Sequence, residues 1–273
     1  MFPERFIQEG MLLAYGISVI FYFIDFLYHN QKANRIAFWF LAMVWVIQTI
    51  FLLQEVIRTS SLPIGTFNDG LYTYVWIIVT FSLVVHRYFH LDLFMFFISV
   101  FGFLVMVIHT IRSLQIVDSS QIPSMLNELL YAHIVLALIA YGLFTVSFII
   151  ALLYFTQYRL LKWKKGYKWL KRLSDLEGLE KKSFQLIVLS EPLLLLSIIL
   201  GGRLGLQDRN GILLGGDSKT IGSILVFLIY ALYLYMRTKG NYRGKNILFV
   251  NIVSFLLLLV NFFLFTTLSN FHI

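Results

Sequence analysis

The chain has 273 residues, of which 59% are hydrophobic and 13% charged, with 22 Lys and Arg against 14 Asp and Glu and no cysteine. So much apolar surface excludes a water-soluble domain and a disordered chain. The lack of cysteine excludes disulfides, iron–sulfur clusters and thiolate metal sites. The composition therefore predicts an integral membrane protein, and the net charge of +8 is expected to reflect topology rather than nucleic-acid binding.

Eight apolar segments are long enough to cross a hydrocarbon core of roughly 30 Å, which takes about 20 helical residues. They are residues 8–28, 36–54, 71–87, 91–112, 128–156, 184–203, 219–238 and 246–270. Their continuous apolar runs exclude a membrane β-barrel, whose strands alternate in hydrophobicity. The sequence predicts an all-α, polytopic helical bundle, one transmembrane domain over residues 1–273 with about eight spans. Seven spans is the alternative if the 71–112 hairpin is misread.

The basic residues are divided unequally between the two ends of these spans. Sixteen of the 22 Lys and Arg residues fall on the side of the loops that follow spans one, three, five and seven. The positive-inside rule assigns that side to the cytoplasm. We therefore expect a multi-pass protein of the plasma membrane with both termini outside, and with membrane lipid as its first partner.

A basic cytoplasmic loop is predicted at residues 157–183. Aromatic residues alternate with lysines in its first part, and acidic residues follow. This pattern indicates a basic, aromatic helix on the inner membrane face and then a short acidic helix. The candidate residues for docking a cytoplasmic partner are Lys164, Lys165, Lys168, Lys171 and Arg172. The alternative is a solvated loop that only sets the topology.

Three of the six histidines fall near the predicted outer face: His109, His133 and His272. Imidazoles that face a shared cavity can be axial ligands of haem iron. Zinc or copper would be alternative ions, although no cysteine or outer His-x-His cluster supports them. Each histidine could also be hydrogen-bonded between helices. The other three, at positions 29, 86 and 90, are expected to be interfacial.

Further polar residues accompany the outer histidines. The loop after span six carries Arg203, Asp217 and Lys219, and an arginine there could bind a haem propionate; ordinary loop polarity is the alternative. Within span six, Glu191-Pro192 predicts a kink of functional or structural origin. In span eight, Asn251 and Asn261 are predicted to bond neighbouring helices.

The motifs of several enzyme classes are missing from the sequence. It has no phosphate-binding Gly-x-x-x-x-Gly-Lys loop, no Gly-x-Ser-x-Gly and no His-Glu-x-x-His. Paired intramembrane aspartates, which an intramembrane protease would need, are also missing, since Asp25 is the single clear candidate. We therefore expect a protein that is not an enzyme.

Short segments along the chain carry a family resemblance. They are residues 22–26, 32–39, 67–76, 133–142 and 268–272. In the third of them, Asp69 stands where the resembled family has Glu. Together they resemble the cytochrome c assembly family of CcsA-like, haem-handling membrane proteins, and most closely its HemX-like branch from Gram-positive bacteria. The resemblance implies that His133 and His272 are outer ligands of a non-covalent haem b.

Two departures from the family pattern refine what the resemblance implies. The family's tryptophan-rich outer loop here has no tryptophan in residues 215–221, and Tyr235 stands where the family has an intramembrane histidine. The resemblance then implies a HemX-like regulator that lowers the level of glutamyl-tRNA reductase, its expected partner. The alternative is a haem carrier or export subunit that works with a cytochrome c assembly subunit. A small-molecule transporter would instead require inverted repeats with paired broken helices.

Overall fold

The structure is a computed structural model that describes residues 2–59, 62–89, 92–115, 128–163, 175–208 and 218–268. At 2–5, 59, 88–89, 92, 114–115, 204–208, 218–219 and 264–268 it describes the backbone alone. These residues form eight α-helices and no β-strand. The helices are α1 (Phe2–Tyr28), α2 (Gln31–Thr59), α3 (Phe67–Phe89), α4 (Asp92–Gln115), α5 (Glu128–Lys162), α6 (Leu176–Asp208), α7 (Ser218–Thr238) and α8 (Lys245–Leu268).

All eight helices are long and apolar enough to cross a membrane, which confirms the predicted all-α, multi-pass fold. Large apolar side chains lie on their outer surfaces; Leu13 is 70% exposed and Ile57 is 80% exposed. Such side chains would be costly in water but match the hydrocarbon of a bilayer, which also requires that helices satisfy their own backbone groups. The direction of the termini stays a prediction.

The chain divides into two compact units, Met1–Ser124 and Met125–Ile273. In unit 1, α1 packs against α2 and α4, and α3 packs against α2 and α4. In unit 2, α5 packs against α6 and α8, and α7 packs against the same two helices. Each unit is thus a closed arrangement of four helices. The predicted single domain over residues 1–273 stays a prediction.

Unit 1 joins α2 and α3 by two reciprocal hydrogen bonds. The Trp45 indole donates to the Thr80 hydroxyl at 2.8 Å, and the Trp76 indole donates to the Thr49 hydroxyl at 2.9 Å. Each threonine hydroxyl also donates to the carbonyl four residues earlier in its own helix. The four polar groups therefore satisfy one another within an apolar surrounding, where an unpaired group would be costly.

The amino end of α3 has the capping pattern that its sequence encodes. The backbone N–H of Asp69 donates to the Thr66 hydroxyl at 3.2 Å, and the Thr66 N–H donates to the Asp69 carboxylate at 3.1 Å. This reciprocal capping box satisfies two of the backbone donors that a helix start leaves open. With this cap, α3 begins at Phe67, four residues before the start of the span predicted from the sequence.

Buried hydrogen bonds connect the four helices of unit 2. The Asn251 amide donates to the hydroxyls of Ser147 and Ser183, both at 3.0 Å, and these hydroxyls lie 2.9 Å apart. The Asn261 amide donates to the Ser223 hydroxyl on α7 at 3.2 Å. Both asparagines therefore bond neighbouring helices, as predicted from their position in span eight.

The acidic stretch around residues 175–180 differs from the sequence prediction. It is not a separate short helix but the start of α6, which runs without interruption from Leu176 to Asp208 and contains Pro192. Glu180 pairs with Arg237 of α7 at 3.0 Å and accepts a hydrogen bond from the Gly244 N–H at 2.8 Å. Glu180 therefore joins the start of α6 to α7 and to the turn before α8.

Candidate functional site

A cavity of ≈ 120 Å³ lies in unit 2, between residues of all four of its helices. Most of its wall is apolar, and a few polar side chains enter it. The side chains that matter most are His133 and Tyr141 of α5, Ser197 of α6, Ser223 of α7 and Asn261 of α8. An apolar cavity with a few convergent polar groups is typical of a ligand site.

The imidazole of His133 is fixed by Ser197. Its Nδ1 lies 2.6 Å from the Ser197 carbonyl oxygen and 3.0 Å from the Ser197 hydroxyl, and that hydroxyl donates to the His133 carbonyl at 2.9 Å. Because a carbonyl can only accept, Nδ1 carries the proton and Nε2 has the lone pair. A histidine that donates through one nitrogen to a backbone carbonyl is oriented as metal-ligating histidines are.

A glycine makes room for this imidazole. A Cβ at Gly201 would lie 2.7 Å from Cε1 and 2.9 Å from Nδ1 of His133. These separations are shorter than van der Waals contact, so that any larger residue would displace the ring or the helix. Gly201 therefore sets the close approach of α6 to α5 at the cavity.

One buried acceptor in the cavity has no partner within the described part of the chain. The Asn261 amide nitrogen binds Ser223, but its Oδ1 receives no hydrogen bond there. An unsatisfied buried acceptor costs about 1–3 kcal/mol. The cost is consistent with a site whose ligand or water supplies the missing donor.

The other predicted residues of the outer loop are described only in part. Arg203 is exposed in the last turns of α6, directly after the two glycines that line the cavity. Asp217, His272 and the side chain of Lys219 lie outside the described residues. The same holds for the predicted docking residues Lys164, Lys165, Lys168, Lys171 and Arg172.

His109 belongs to unit 1 and is 4% exposed on α4. Its ring lies 5.3 Å from that of Tyr72, centroid to centroid. Neither His109 Nδ1 nor the Tyr72 hydroxyl has a hydrogen-bond partner among the described residues. Since His109 and His133 lie in different units, a site shared by them stays a prediction.

Glu191 and Tyr235 occupy contrasting positions on their helices. Glu191 is 5% exposed, one turn before the cavity-lining Leu194, and neither of its carboxyl oxygens has a partner in the described segments. Tyr235 is 64% exposed on α7. The residues of α7 that face the unit's interior are instead Tyr230 and Tyr233, both fully buried.

The sequence singled out His133 as a candidate haem ligand and Asn261 only as a bond between helices, and it did not single out Ser197, Gly201 or Ser223 at the cavity. Serine and glycine are common in membrane helices, where they allow close packing, so that neither carries a specific local signal. The contact between His133 and Ser197 joins residues that are 64 positions apart. Only the short Gly201-Gly202 pair near the end of span six could have indicated a close approach.

Comparison with known proteins adds to this geometry. A model of the cytochrome C assembly protein family matches residues 64–272, which include α3 to α8. The chain belongs to this family. It is 40% identical over 269 residues to Protein HemX of Bacillus subtilis (strain 168), covering 97% of this chain and 96% of that protein. It is also 38% identical over 276 residues to Protein HemX of Brevibacillus brevis, covering 100% and 99%.

Both relatives extend over almost the whole chain, including the two helices before the family match. The protein is therefore a HemX-like member of the cytochrome C assembly family, and the resemblance noted in the sequence is confirmed. It is a haem-related, multi-pass membrane protein whose outer helical surfaces suit contact with lipid.

Proposed function

We propose that this protein binds haem at the His133 cavity and regulates haem biosynthesis by lowering the level of glutamyl-tRNA reductase. The observation that carries the haem part is the fixed His133 imidazole, with Nδ1 held by the Ser197 carbonyl at 2.6 Å. The regulatory part rests on the likeness to HemX-like proteins. In this proposal the protein is not an enzyme and acts in the plasma membrane.

The described residues suit one side of a haem site. His133 offers an imidazole of the tautomer that can ligate iron through Nε2, and the surrounding wall is largely apolar. The volume of ≈ 120 Å³ is below the roughly 300–1,000 Å³ of pockets that enclose a drug-sized ligand. The described residues would therefore hold one part of a porphyrin, with His272 as the proposed second ligand.

Several residues of the chain have defined tasks in this proposal. Ser197 orients the imidazole, Gly201 lets it approach α6, and Arg203 is placed to bind a propionate by charge-assisted hydrogen bonds. When bound, haem would supply an iron that accepts two imidazoles and a signal of haem availability. The basic loop around residues 164–172 would carry that signal to the reductase.

Haem titration of the detergent-purified protein tests the site. We expect a saturable Soret band that weakens or shifts in His133→Ala and in His272→Ala. His29→Ala is the matched control, because His29 is an exposed histidine at the turn between α1 and α2. Identical spectra for all four proteins would contradict haem binding at this site.

A second experiment tests the regulatory target separately. Lys164, Lys165, Lys168, Lys171 and Arg172 are changed together to glutamine, and the abundance of glutamyl-tRNA reductase is measured in cells. We expect the reductase level to rise towards that of a deletion strain. Changing the exposed Lys181, Lys239 and Arg243 to glutamine controls for lost positive charge. An unchanged reductase level in the loop variant would contradict the loop mechanism while leaving haem binding intact.

The family match favours a second candidate, a haem carrier or export subunit for cytochrome c maturation. The two functions predict different phenotypes of a deletion strain. Loss of a carrier leaves c-type cytochromes unmade, whereas loss of the regulator raises porphyrin levels and leaves those cytochromes intact. The exposed Tyr235 in place of the family's intramembrane histidine supports the regulator.

A further inference from the structure

A polar pocket lies at one end of unit 1 and has no part in the proposed haem site. It has a volume of ≈ 230 Å³ and is lined by Gln31, Asn34, Arg35, Phe38 and His86. The first four belong to α2, and His86 lies in the last turn of α3. Four of the five lining residues also precede the part of the chain that matches the family model.

The lining residues of α2 share one face of the helix, because positions i, i+3, i+4 and i+7 are neighbours on its surface. The turn before them is fixed by Asn30, whose side-chain oxygen accepts hydrogen bonds from the N–H groups of Lys32 and Ala33 at 3.0 and 3.3 Å. From α3, the His86 ring lies 4.9 Å from the Phe38 ring, centroid to centroid. Both walls of the pocket are therefore held in place.

The pocket contains hydrogen-bond donors and positive charge but no carboxylate. Arg35 is exposed, and it makes no ion pair or hydrogen bond with any residue that the structure describes. The nearest acid along α1, Asp25, does not line the pocket, and it accepts a hydrogen bond from the Asn34 amide at 2.8 Å. The guanidinium thus lacks an internal counter-ion, and carboxamides and an imidazole surround it.

The position of the pocket indicates which anion meets it. The spans that contribute to this end of unit 1 finish at Tyr28, begin at Gln31 and finish at Arg87. Tyr28, the last residue of its span, is 78% exposed. Exposed Tyr and Trp at the ends of spans are typical of the headgroup level of a bilayer, where lipid phosphates lie.

We propose that this pocket binds the phosphate group of an anionic membrane phospholipid. Arg35 donates two parallel hydrogen bonds to the phosphate oxygens, since guanidinium geometry matches phosphate. The amides of Gln31 and Asn34 and the imidazole of His86 contribute to a polar surrounding for the headgroup, and Phe38 lies beside the first carbons of the lipid. The site depends on membrane insertion alone, so it holds whichever end of the protein faces the cytoplasm and whether or not haem binds.

Native mass spectrometry of the delipidated full chain tests the site, with phosphatidylglycerol and phosphatidylcholine of identical acyl chains as probes. We expect one phosphatidylglycerol to bind more tightly than phosphatidylcholine. Arg35→Gln should weaken phosphatidylglycerol binding by at least about tenfold, because it removes the charge and the paired hydrogen bonds to the phosphate. Arg35→Lys should retain part of the affinity, since it keeps the charge and loses the planar fork.

Arg87→Gln is the matched control, because Arg87 is an exposed arginine at the same end of unit 1 that does not line the pocket. Equal losses in Arg35→Gln and Arg87→Gln would overturn the proposal in favour of diffuse attraction between a basic surface and anionic lipid. Equal binding of the two lipids would also overturn it. Displacement of the lipid by millimolar inorganic phosphate would replace it with a site for free phosphate. An unchanged thermal midpoint in the variants excludes misfolding as the cause of a loss.

Discussion

The two ends of unit 2 place their buried polar groups in different surroundings. At one end, Glu180 forms an ion pair with Arg237 and accepts a hydrogen bond from the Gly244 N–H, and Arg237 also lies over the Phe184 ring. About 26 Å further along α6, at 1.5 Å per residue, the other end has a cavity and an Asn261 oxygen without a partner in the described residues. The difference is that an ion pair joins the helices at the first end, whereas the second end keeps a cavity, which is the proposed binding site.

The largest expected effect is that of removing Glu180, the acid that forms the ion pair with Arg237. In Glu180→Ala, Arg237 would remain largely buried without its partner, since its side chain is 17% exposed. Breaking a buried ion pair by removing one partner costs about 3–5 kcal/mol. We expect a marked fall in the thermal midpoint in detergent, with the haem affinity of the remaining folded protein unchanged.

Glu177→Ala is the control for this variant, because Glu177 is exposed in the first turn of the same helix. It should leave the midpoint nearly unchanged. If both variants lowered it equally, the ion pair would not be the source of stability at this end. If Glu180→Ala abolished haem binding without unfolding, the two ends would be coupled and the comparison would fail.

Gly201→Ala, at the end of unit 2 that has the cavity, should affect haem binding as well as stability. Because Cβ would lie 2.7 Å from His133 Cε1, the imidazole must move from its bond with Ser197. We expect Gly201→Ala to weaken haem binding by at least about tenfold, and to destabilise the unit by about 1–3 kcal/mol, the usual cost of overpacking. Haem titration and thermal unfolding of the same sample check both values.

Gly10→Ala is a suitable control, since a Cβ at Gly10 of α1 meets no atom within 4 Å. It should bind haem as the parent does. Unchanged haem binding in Gly201→Ala would show that the position of the His133 ring does not matter, and that the proposed site is wrong.

The sequence predicts the apolar part of each helix better than the whole helix. A membrane-spanning length of about 20 residues locates eight apolar runs, and the structure has one helix for each. However, α2 begins at Gln31 and α6 at Leu176, five and eight residues before the predicted spans. Polar residues continue these helices beyond the apolar run, where caps and ion pairs such as Glu180–Arg237 decide the ends.

The candidate site shows a similar division. His133 is conspicuous because an ionisable residue in a membrane helix is rare, so the sequence could identify it. Ser197 and Gly201 acquire their roles only when α6 packs against α5, and the register of two helices cannot be read from either one alone. The sequence therefore finds the ligand candidate but not the residues that orient it.

The two asparagines of α8 separate binding from stability. Asn251 lies with Ser147 and Ser183 between the two ends, whereas Asn261 lies in the cavity. Asn251→Leu should destabilise the unit by about 0.6–2 kcal/mol, the range for hydrogen bonds between membrane helices, and leave haem affinity unchanged. Asn261→Leu should mainly lower haem affinity. Thermal unfolding and haem titration of both variants test whether haem binds in the cavity. A loss of haem affinity in Asn251→Leu but not in Asn261→Leu would contradict it.

The smallest effect is expected for Ser197→Ala, although Ser197 is hydrogen-bonded to the proposed ligand His133. The shorter bond of His133 Nδ1 is to the Ser197 carbonyl, at 2.6 Å, and that carbonyl remains in the variant. The variant loses only the hydroxyl, 3.0 Å from Nδ1, and its bond to the His133 carbonyl. One such neutral hydrogen bond contributes about 0.5–1.5 kcal/mol. We therefore expect haem affinity to fall less than in Gly201→Ala, with the Soret maximum unchanged, because the backbone still fixes the tautomer. A loss as large as that of His133→Ala would mean that the hydroxyl, rather than the backbone carbonyl, orients the imidazole.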